Sequence, residues 1–368
     1  MLAFLSVAFL IYGSMHIYAL GKMWLAFPHS LGLSLALALC GIVMTLSPLI
    51  LWQMSKLNWH GATVVTAWVT YIWMGFLFLF FCIALVFDFG HLLSTLSGFK
   101  WHLNESMALL TVGLLALLLL GYGFIAATQI QVEEITITTP KLVSGKITIA
   151  QISDLHLGLM LGDAFLERVI ARLREIQPDI VVATGDIVDG QGDDLNALAK
   201  RFRTFHPPKG AFAIVGNHEY YAGLENSLRF LRSAGFTVLR GESAAAAGII
   251  LVGVDDPSAA VLGQEARVDS RKALASVPKG DFIILLKHQP VVDTETPFDL
   301  QLSGHIHGGQ IFPFGLLPWL TYGVRSGLTQ LADGRWLYVS RGTGTWGPPI
   351  RLFSAPEITL IKIESENK

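Results

Sequence analysis

The chain reads ITIAQISDLH at residues 147–156, an apolar run that stops abruptly at polar residues. The first six residues are rich in β-branched side chains, and we interpret Ile147–Ile152 as a buried strand. Asp154 and His156 follow at once. In an extended backbone, residues two apart point to the same side, so both side chains could address one site.

Four later stretches repeat this arrangement of a predicted strand followed directly by polar residues. The predicted strands are Asp179–Ala183, Ala211–Val215, Phe282–Leu286 and Leu300–Leu302. The groups that follow them are Gly185-Asp186-Ile187-Val188-Asp189, Gly216-Asn217-His218-Glu219, Lys287-His288 and Gly304-His305-Ile306-His307. Ligands of open α/β sheets bind beyond the carboxyl ends of the strands, so we expect all five groups to meet at one edge.

The rest of this region predicts helices early and strands late. Amphipathic stretches predict helices at Ala164–Ile176, Asp194–Phe205 and Leu224–Ala234. Further strands are predicted at Gly248–Val254, Trp336–Ser340 and Ile358–Ile363. This order predicts an α/β domain built as a sheet-rich sandwich with outer helices.

The start of the chain has a different composition. Only 15% of all residues are charged, against about 25% in soluble proteins, and the deficit is confined to roughly the first 130 residues. Four apolar segments approach or exceed the ~20 residues that a helix needs to cross a bilayer: Leu2–Leu20, Leu31–Trp52, Val64–Phe87 and Met107–Ile130. The first could instead be a signal peptide, although it lacks a basic start. We predict an all-α transmembrane bundle of four helices at residues 1–130 and the α/β domain at residues 131–368.

Charge bears on sidedness and on partners. Lys22 and Lys100 would lie on one side of the membrane, and Lys56, Lys141 and Lys146 on the side of the α/β domain. Because positive loops stay in the cytoplasm, this small excess favours a cytoplasmic domain in the cell membrane. The net charge is −2 and no basic run occurs, so nucleic acid is not an expected partner.

The polar groups have the chemistry of a metal site. They supply carboxylate, imidazole and one amide oxygen, a mixture that suits Mn, Fe or Zn better than Ca or Mg. Asp186 could offer one oxygen to each of two cations. Such a pair lowers the pKa of a shared water and neutralises charge on phosphoryl oxygens, as phosphoester hydrolysis requires. His218 could then protonate the leaving group with Asp189 holding its ring, unless it is an ordinary loop histidine.

At these residues the sequence resembles the calcineurin-like metallophosphoesterase superfamily. The shared pattern is Asp-x-His, Gly-Asp-x-x-Asp, Gly-Asn-His-Asp/Glu, a lone His and Gly-His-x-His, over nearly all of residues 147–309. The resemblance implies a ββ sandwich flanked by helices, with His218 as the catalytic histidine. It also implies one metal held by Asp154, His156, Asp186 and His307, and a second held by Asp186, Asn217, His288 and His305. Glu219 replaces the Asp of many members, and we expect little consequence.

Later residues are similar to the membrane-associated bacterial branch of that superfamily. The similarity lies in residues 304–310 with Pro313 and in residues 338–342. That branch includes enzymes that cleave UDP-diacylglucosamine in lipid A synthesis, which implies a lipid-linked phosphoester or pyrophosphate as a candidate substrate. Arg341 could grip a phosphate or form a structural salt bridge. The apolar stretch at residues 312–320 could be core or could lie against the bilayer.

Two functions therefore compete at this stage, and a third, a nuclease built on the same site, is disfavoured by the membrane anchor and by the lack of a basic run. The favoured one is a membrane-anchored, metal-dependent phosphohydrolase. The alternative is a catalytically silent scaffold or sensor with the same fold, which would be expected to have lost some of the ligands. The sequence retains every one of them.

Overall fold

The computed structural model describes residues 2–27, 29–57, 59–98, 104–142, 144–189, 195–266, 270–274, 277, 280–294 and 296–366. The chain divides into two compact units, of which one comprises Met1–Ile125 and Gly347–Ile350. The other comprises Ala126–Trp346 and Arg351–Lys368. The predicted division at residues 130 and 131 remains a prediction.

The described residues up to Thr128, the last three of which belong to the second unit, form four long helices: α1 (Leu2–Ala26), α2 (Leu31–Lys56), α3 (His60–Ser97) and α4 (Glu105–Thr128). Among the described residues, α2, α3 and α4 are long and apolar enough to cross a membrane. Most of these helices extend past the predicted segments, because a hydropathy window ends where polar residues begin while the helical hydrogen bonds continue. Lys100, used above to predict sidedness, lies outside the described residues.

Polar side chains connect α1 to α3. Trp73 Nε1–H donates to His16 Nε2 across 2.8 Å. The other ring nitrogen of His16 therefore carries the proton, and it donates to the Tyr12 carbonyl at 2.9 Å. Lys22 and Asp88 form an ion pair between the same two helices. The bond to Trp73 thus joins α1 to α3, and the bond to Tyr12 lies within α1 and fixes the ring.

The described residues of the second unit form twelve strands. These are β1 (Gln131–Thr139), β2 (Lys146–Ile152), β3 (Ile180–Thr184), β4 (Ala211–Ile214), β5 (Thr237–Val238), β6 (Glu242–Ala246), β7 (Ile249–Gly253), β8 (Phe282–Leu286), β9 (Leu300–Ser303), β10 (Gly327–Gln330), β11 (Trp336–Val339) and β12 (Glu357–Ser365). They make two mixed six-stranded sheets, in the orders β1-β12-β2-β3-β4-β5 and β10-β11-β9-β8-β7-β6. Each of the eight predicted strands is present to within two residues at either end.

Shorter helices accompany the sheets. They are α5 (Asp163–Ile176), α6 (Leu195–Phe202), α7 (Asn217–Tyr221), α8 (Leu224–Ser233), α9 (Ser258–Val261), α10 (Ser270–Leu274) and α11 (Leu316–Tyr322), with a 3-10 turn at His307–Gly309. The predicted helix Asp194–Phe205 starts at a residue outside the described part and ends three residues early, where Thr204 N–H bonds to the Arg201 carbonyl in a tighter turn.

The alternation of side chains along the strands creates two apolar layers. Ile147 and Ile149 of β2 join a buried cluster that contains side chains from both sheets, such as Leu251. Ala150 and Ile152 point the other way, into a cluster with α5, α6 and α8. Strands buried on both faces read as continuous apolar runs, as these do. The two sheets therefore pack face to face, with helices against the outer face of the first.

Candidate metal centre

The five predicted polar groups all follow carboxyl ends of parallel strands. Strands β2, β3 and β4 are parallel neighbours in one sheet, and β8 and β9 are parallel neighbours in the other. Because the two sheets pack against each other, these strand ends meet at one edge of the sandwich. The structure brings all seven predicted metal ligands together there.

One group of ligand atoms lies around His307. Its Nε2 is 3.1 Å from His156 Nε2 and 3.5 Å from Asp154 Oδ1. Asp186 Oδ2 lies 4.0 Å from His156 Nε2, on the side of the second group. All four residues are buried. Asp154, His156 and His307 could hold one metal ion.

The second group lies around His288. Its Nε2 is 3.1 Å from Asp186 Oδ2, 3.2 Å from Asn217 Oδ1 and 3.2 Å from His305 Nδ1. Asp186, His288 and His305 could hold a metal ion. Asp186 is therefore close to both groups and is placed as a carboxylate that could bridge two cations.

The donor atoms of the second group fit a cation. His288 Nδ1–H donates to the Thr184 carbonyl at 2.8 Å, so Nε2 is the ring nitrogen that faces the oxygens of Asn217 and Asp186. Burial lowers the pKa of His288, but the Asp186 carboxylate raises it well above its ordinary value, so without a metal ion Nε2 carries a proton. A metal cation would take the place of this proton between the ring and the two oxygens. The mixture of nitrogen and oxygen donors suits Mn, Fe or Zn.

The ligand backbone is strained in a way that the sequence did not indicate. Five of the seven predicted ligands have φ between 49° and 72°, in the left-handed region: Asp154, His156, Asp186, His305 and His307. Each such residue costs about 1–3 kcal/mol, and such residues cluster at functional sites. The prediction that Asp154 and His156 lie on an extended backbone is therefore wrong. The chain turns sharply after β2, and this turn aims both side chains inward.

His218 and Asp189 form a pair beside the ligands, and Asp189 Oδ1 also lies 3.5 Å from His156 Nδ1, so these three residues too could hold a metal ion. His218 Nδ1 lies 2.6 Å from Asp189 Oδ1, and the His156 ring stands edge-on to that of His218. Burial alone would lower the pKa of His218, but the carboxylates of Asp186 and Asp189 raise it to about 9. Burial raises the pKa of Asp189, whereas its hydrogen bonds with His156 and His218 lower it below the ordinary value. The pair is thus a charged imidazole held by an ionised carboxylate.

Glu219 has a role that the sequence analysis missed. Its fully buried carboxylate accepts hydrogen bonds from four backbone N–H groups, those of Asp186, Ile187, Val188 and Gly216, at 2.6–3.1 Å. These groups belong to the loops that carry Asp186 and Asn217. The available signal was the Gly-x-x-Glu spacing, which is typical of a helix N-terminus such as that of α7.

Arg351 was also missed, because a lone arginine outside any motif gives no sequence signal. Its guanidinium is fully buried and donates to the carbonyls of His307, Arg341, Gly342 and Gly344. Burial lowers the pKa of Arg351 to about 10. Its hydrogen bond to the His307 carbonyl connects residues 341–344 to the loop that carries His305 and His307.

Arg341, the predicted phosphate contact, is placed in ion pairs. Its Nε is 2.5 Å from a Glu357 carboxylate oxygen, and its Nη2 is 3.1 Å from Glu133 Oε2. Glu357 is buried, and Glu133 lies on β1. This arrangement matches the salt-bridge alternative. Contact with substrate stays a prediction.

Exposed aromatic rings border the site. Trp346 and Tyr221 are more than half exposed, and each ring stands edge-on to His218, with centroids 5.7 and 5.4 Å away. The side chain of Gln310 exchanges two hydrogen bonds with the backbone of Trp346. Gln310 follows His305 and His307 in the same loop, so this loop holds Trp346 beside His218.

Comparison with known proteins places the chain in a family. The calcineurin-like phosphoesterase family model matches residues 147–309. A metallophosphoesterase of Aquifex aeolicus is 41% identical over 257 residues, which cover 68% of this chain and 98% of that protein. A Danio rerio protein named transmembrane protein with metallophosphoesterase domain is 33% identical over 70% of this chain and 62% of its own length.

The similarity to solved structures is much weaker. The chain is 17% identical to the NAD nucleotidase of Haemophilus influenzae, with a TM-score of 0.38, over 55% of this chain and 46% of that one. A similarity of this size carries no argument about function. The sequence relatives and the family model decide the assignment. The chain belongs to the calcineurin-like metallophosphoesterase family and is a hydrolase of phosphoester bonds.

Proposed function

We propose that this hydrolase works with two divalent cations, Mn, Fe or Zn, held at the edge of the sandwich. The observation that carries the proposal is the pair of ligand groups with Asp186 close to both. Asp154, His156, Asp186 and His307 would hold one cation. Asp186, Asn217, His288 and His305 would hold the other. When bound, the cations would supply an activated water and neutralise charge on the phosphoryl oxygens.

In this proposal the protein itself supplies the proton for the leaving group. The Asp189 carboxylate lies 2.6 Å from His218 Nδ1 and favours the protonated ring, and His218 lies beside Asn217. It would protonate the leaving oxygen as the phosphoester bond breaks. Asp189 would act through His218, because it orients the ring and stabilises its charge.

The membrane part of the proposal is that all four N-terminal helices span the bilayer and that residues 131–368 form the catalytic domain on its cytoplasmic side. Helices α2, α3 and α4 have the required length and apolar character, and α1 is a 25-residue helix. A chain held in this way favours a substrate that is itself in the membrane, by raising its effective concentration. A lipid-linked phosphoester or pyrophosphate is therefore the proposed substrate class. The silent scaffold is disfavoured because every predicted ligand is retained.

The first test measures metal content and hydrolysis in the purified full chain. We expect about two metal ions per chain and hydrolysis of phosphoesters, and we expect Asp186→Asn to lose both because it removes the shared carboxylate. Asp163→Asn is the control, since Asp163 pairs with Arg201 on the surface. The proposal fails if Asp186→Asn retains both metal ions and the parental rate.

The second test separates proton transfer from metal binding. We expect His218→Asn to keep its metal content and to lower kcat by about 10²–10⁴-fold, since that is the usual contribution of a general acid. Asp189→Asn should lower kcat less, because it acts through the ring. Equal rates for His218→Asn and the parent chain would remove the proposed acid.

A further inference from the structure

The stretch that follows the last metal ligands is apolar and faces solvent. Six large side chains there are 42–70% exposed: Phe312, Phe314, Leu316, Leu317, Trp319 and Leu320. None of the seven residues of α11, all of which the structure describes, is buried. The sequence left open whether this stretch is core, and the structure shows that it is not. Phe353, 80% exposed, extends the surface, with its ring centroid 5.9 Å from that of Phe312.

This apolar surface, residues 312–320 with Phe353, is joined to the metal centre on two sides. Gly309 lies so close to Gly315 that a Cβ on Gly309 would come within 2.1 Å of the Gly315 Cα. At the other end of α11, the Tyr322 ring stands edge-on to His305, with centroids 5.6 Å apart. The surface therefore borders the loop that carries His305 and His307.

Such a surface needs an apolar neighbour. Burial of large apolar side chains is favourable, and contiguous exposed patches usually mark an interaction site. The chain itself supplies the reason to choose a bilayer. Only Gln129 and Ile130 separate α4, which is apolar enough to span a membrane, from β1. Two extended residues reach roughly 7 Å, so if α4 spans the bilayer, as proposed above, β1 begins close to the membrane surface.

The polar residue at the border of the apolar surface also suits a membrane interface. The Arg325 guanidinium lies 5.6 Å from the centre of the Trp319 ring. Tryptophan and arginine together are typical of the headgroup level, where the ring is amphipathic and the cation meets lipid phosphates. On a surface exposed only to water, the tryptophan ring would have no apolar layer to enter and the arginine would have no lipid phosphates to bind.

We propose that the apolar surface, residues 312–320 with Phe353, inserts into the headgroup and upper acyl layer of the bilayer that anchors the chain. The metal centre then opens toward lipid headgroups. This inference rests on the proposed function, a membrane-bound phosphohydrolase. It adds which face of the catalytic domain a lipid substrate would approach.

The test uses a fluorescent label that reports its surroundings, and it does not depend on measuring hydrolysis. Cys40 and Cys82 are replaced by alanine, and one cysteine is introduced as Leu320→Cys and labelled with an environment-sensitive fluorophore. The full chain is reconstituted into phosphatidylcholine vesicles with and without lipids that carry a doxyl quencher near the headgroup. Lys209→Cys is the matched control, because Lys209 is exposed and precedes β4, at the amino end of the strands.

We expect the label at residue 320 to shift to the blue, to be quenched by doxyl lipid and to be protected from aqueous iodide. The label at residue 209 should show the reverse. Equal iodide quenching at both positions would overturn the proposal. Protection from both quenchers would also overturn it, because a protein partner or a second copy would then cover the surface.

A second variant links insertion to activity. The double change Leu317→Glu and Leu320→Glu adds charge to the surface without touching the metal ligands. We expect hydrolysis of a phosphomonoester lipid, phosphatidic acid in the same vesicles, to fall by about tenfold relative to soluble p-nitrophenyl phosphate. An unchanged ratio contradicts the role of the surface. If neither compound is hydrolysed by the parent chain, the proposed action on phosphomonoesters fails while the label still decides insertion.

Discussion

At the scale of single residues, this site balances strain against hydrogen bonds. Asp186 has a left-handed backbone, which costs free energy, yet its N–H donates to the Glu219 carboxylate. His307 is equally strained, and its carbonyl accepts bonds from Arg351 and Ser354. Strained ligands persist where surrounding groups over-determine their position. Residues that touch no metal can therefore decide whether the ligands are in place.

Glu219→Gln tests this balance directly. The amide can offer only one oxygen and would turn an N–H donor toward backbone N–H groups. We expect the free energy of unfolding to fall by about 2–3 kcal/mol and metal affinity to fall with it. Denaturant titration and metal titration of the full chain measure both. Glu265→Gln, at an exposed position, is the control. Parental stability in Glu219→Gln would mean that the buried carboxylate is dispensable.

At the scale of elements, the strands end where neighbouring loops must approach closely. A Cβ on Gly216 would lie 2.3 Å from Asp186 Oδ1, and one on Gly304 would lie 2.0 Å from Ser153 Oγ and 2.4 Å from Asp154 Oδ2. These glycines follow β4 and β9, in different sheets. Glycine is required here for space, so that loops from adjacent strands, and loops from the two sheets, can bring their ligands together.

Gly216→Ala is therefore expected to displace the Asp186 carboxylate. The chain should still fold, because the clash is local, but it should bind less metal and lose about 10²-fold in kcat. Gly162→Ala adds the same methyl group where no atom lies within 4 Å of it. Metal content and kcat are compared for the two variants. Identical values for both would show that the loops tolerate the added volume.

At the scale of the whole molecule, the proposed metal centre joins two sheets. Asp154, Asp186 and Asn217 come from the first sheet, and His288, His305 and His307 come from the second. A cation bound between the two sheets would stabilise the folded state, because the unfolded chain does not assemble the site.

Metal removal is thus expected to lower the Tm of the catalytic domain. With free metal at a thousand times Kd, binding contributes about 4 kcal/mol, which corresponds to a shift of roughly 8–16 °C in a domain of this size. Thermal unfolding of the full chain is followed before and after chelation, and again after metal is restored. Asp186→Asn should show little response to either step. If chelation leaves the Tm of the parent chain unchanged, that result contradicts the stabilising role of the metal.

The sequence by itself determined the eight central strands, the apolar helices and the identity of the clustered polar residues. These follow from local properties, since hydropathy, β-branching and the spacing of polar residues after a strand can be read in a short window. The positions of β1, β5, β6 and β10 could not be read in this way, because they are short or too polar.

Only the tertiary structure decided how the polar residues face one another. Asp154 and His307 are far apart in the chain, and their 3.5 Å approach depends on how the two sheets pack. The four bonds to Glu219 and the exposure of residues 312–320 depend on the same packing. A sequence window contains no information about such contacts, because they are set by the surfaces that distant segments bury together.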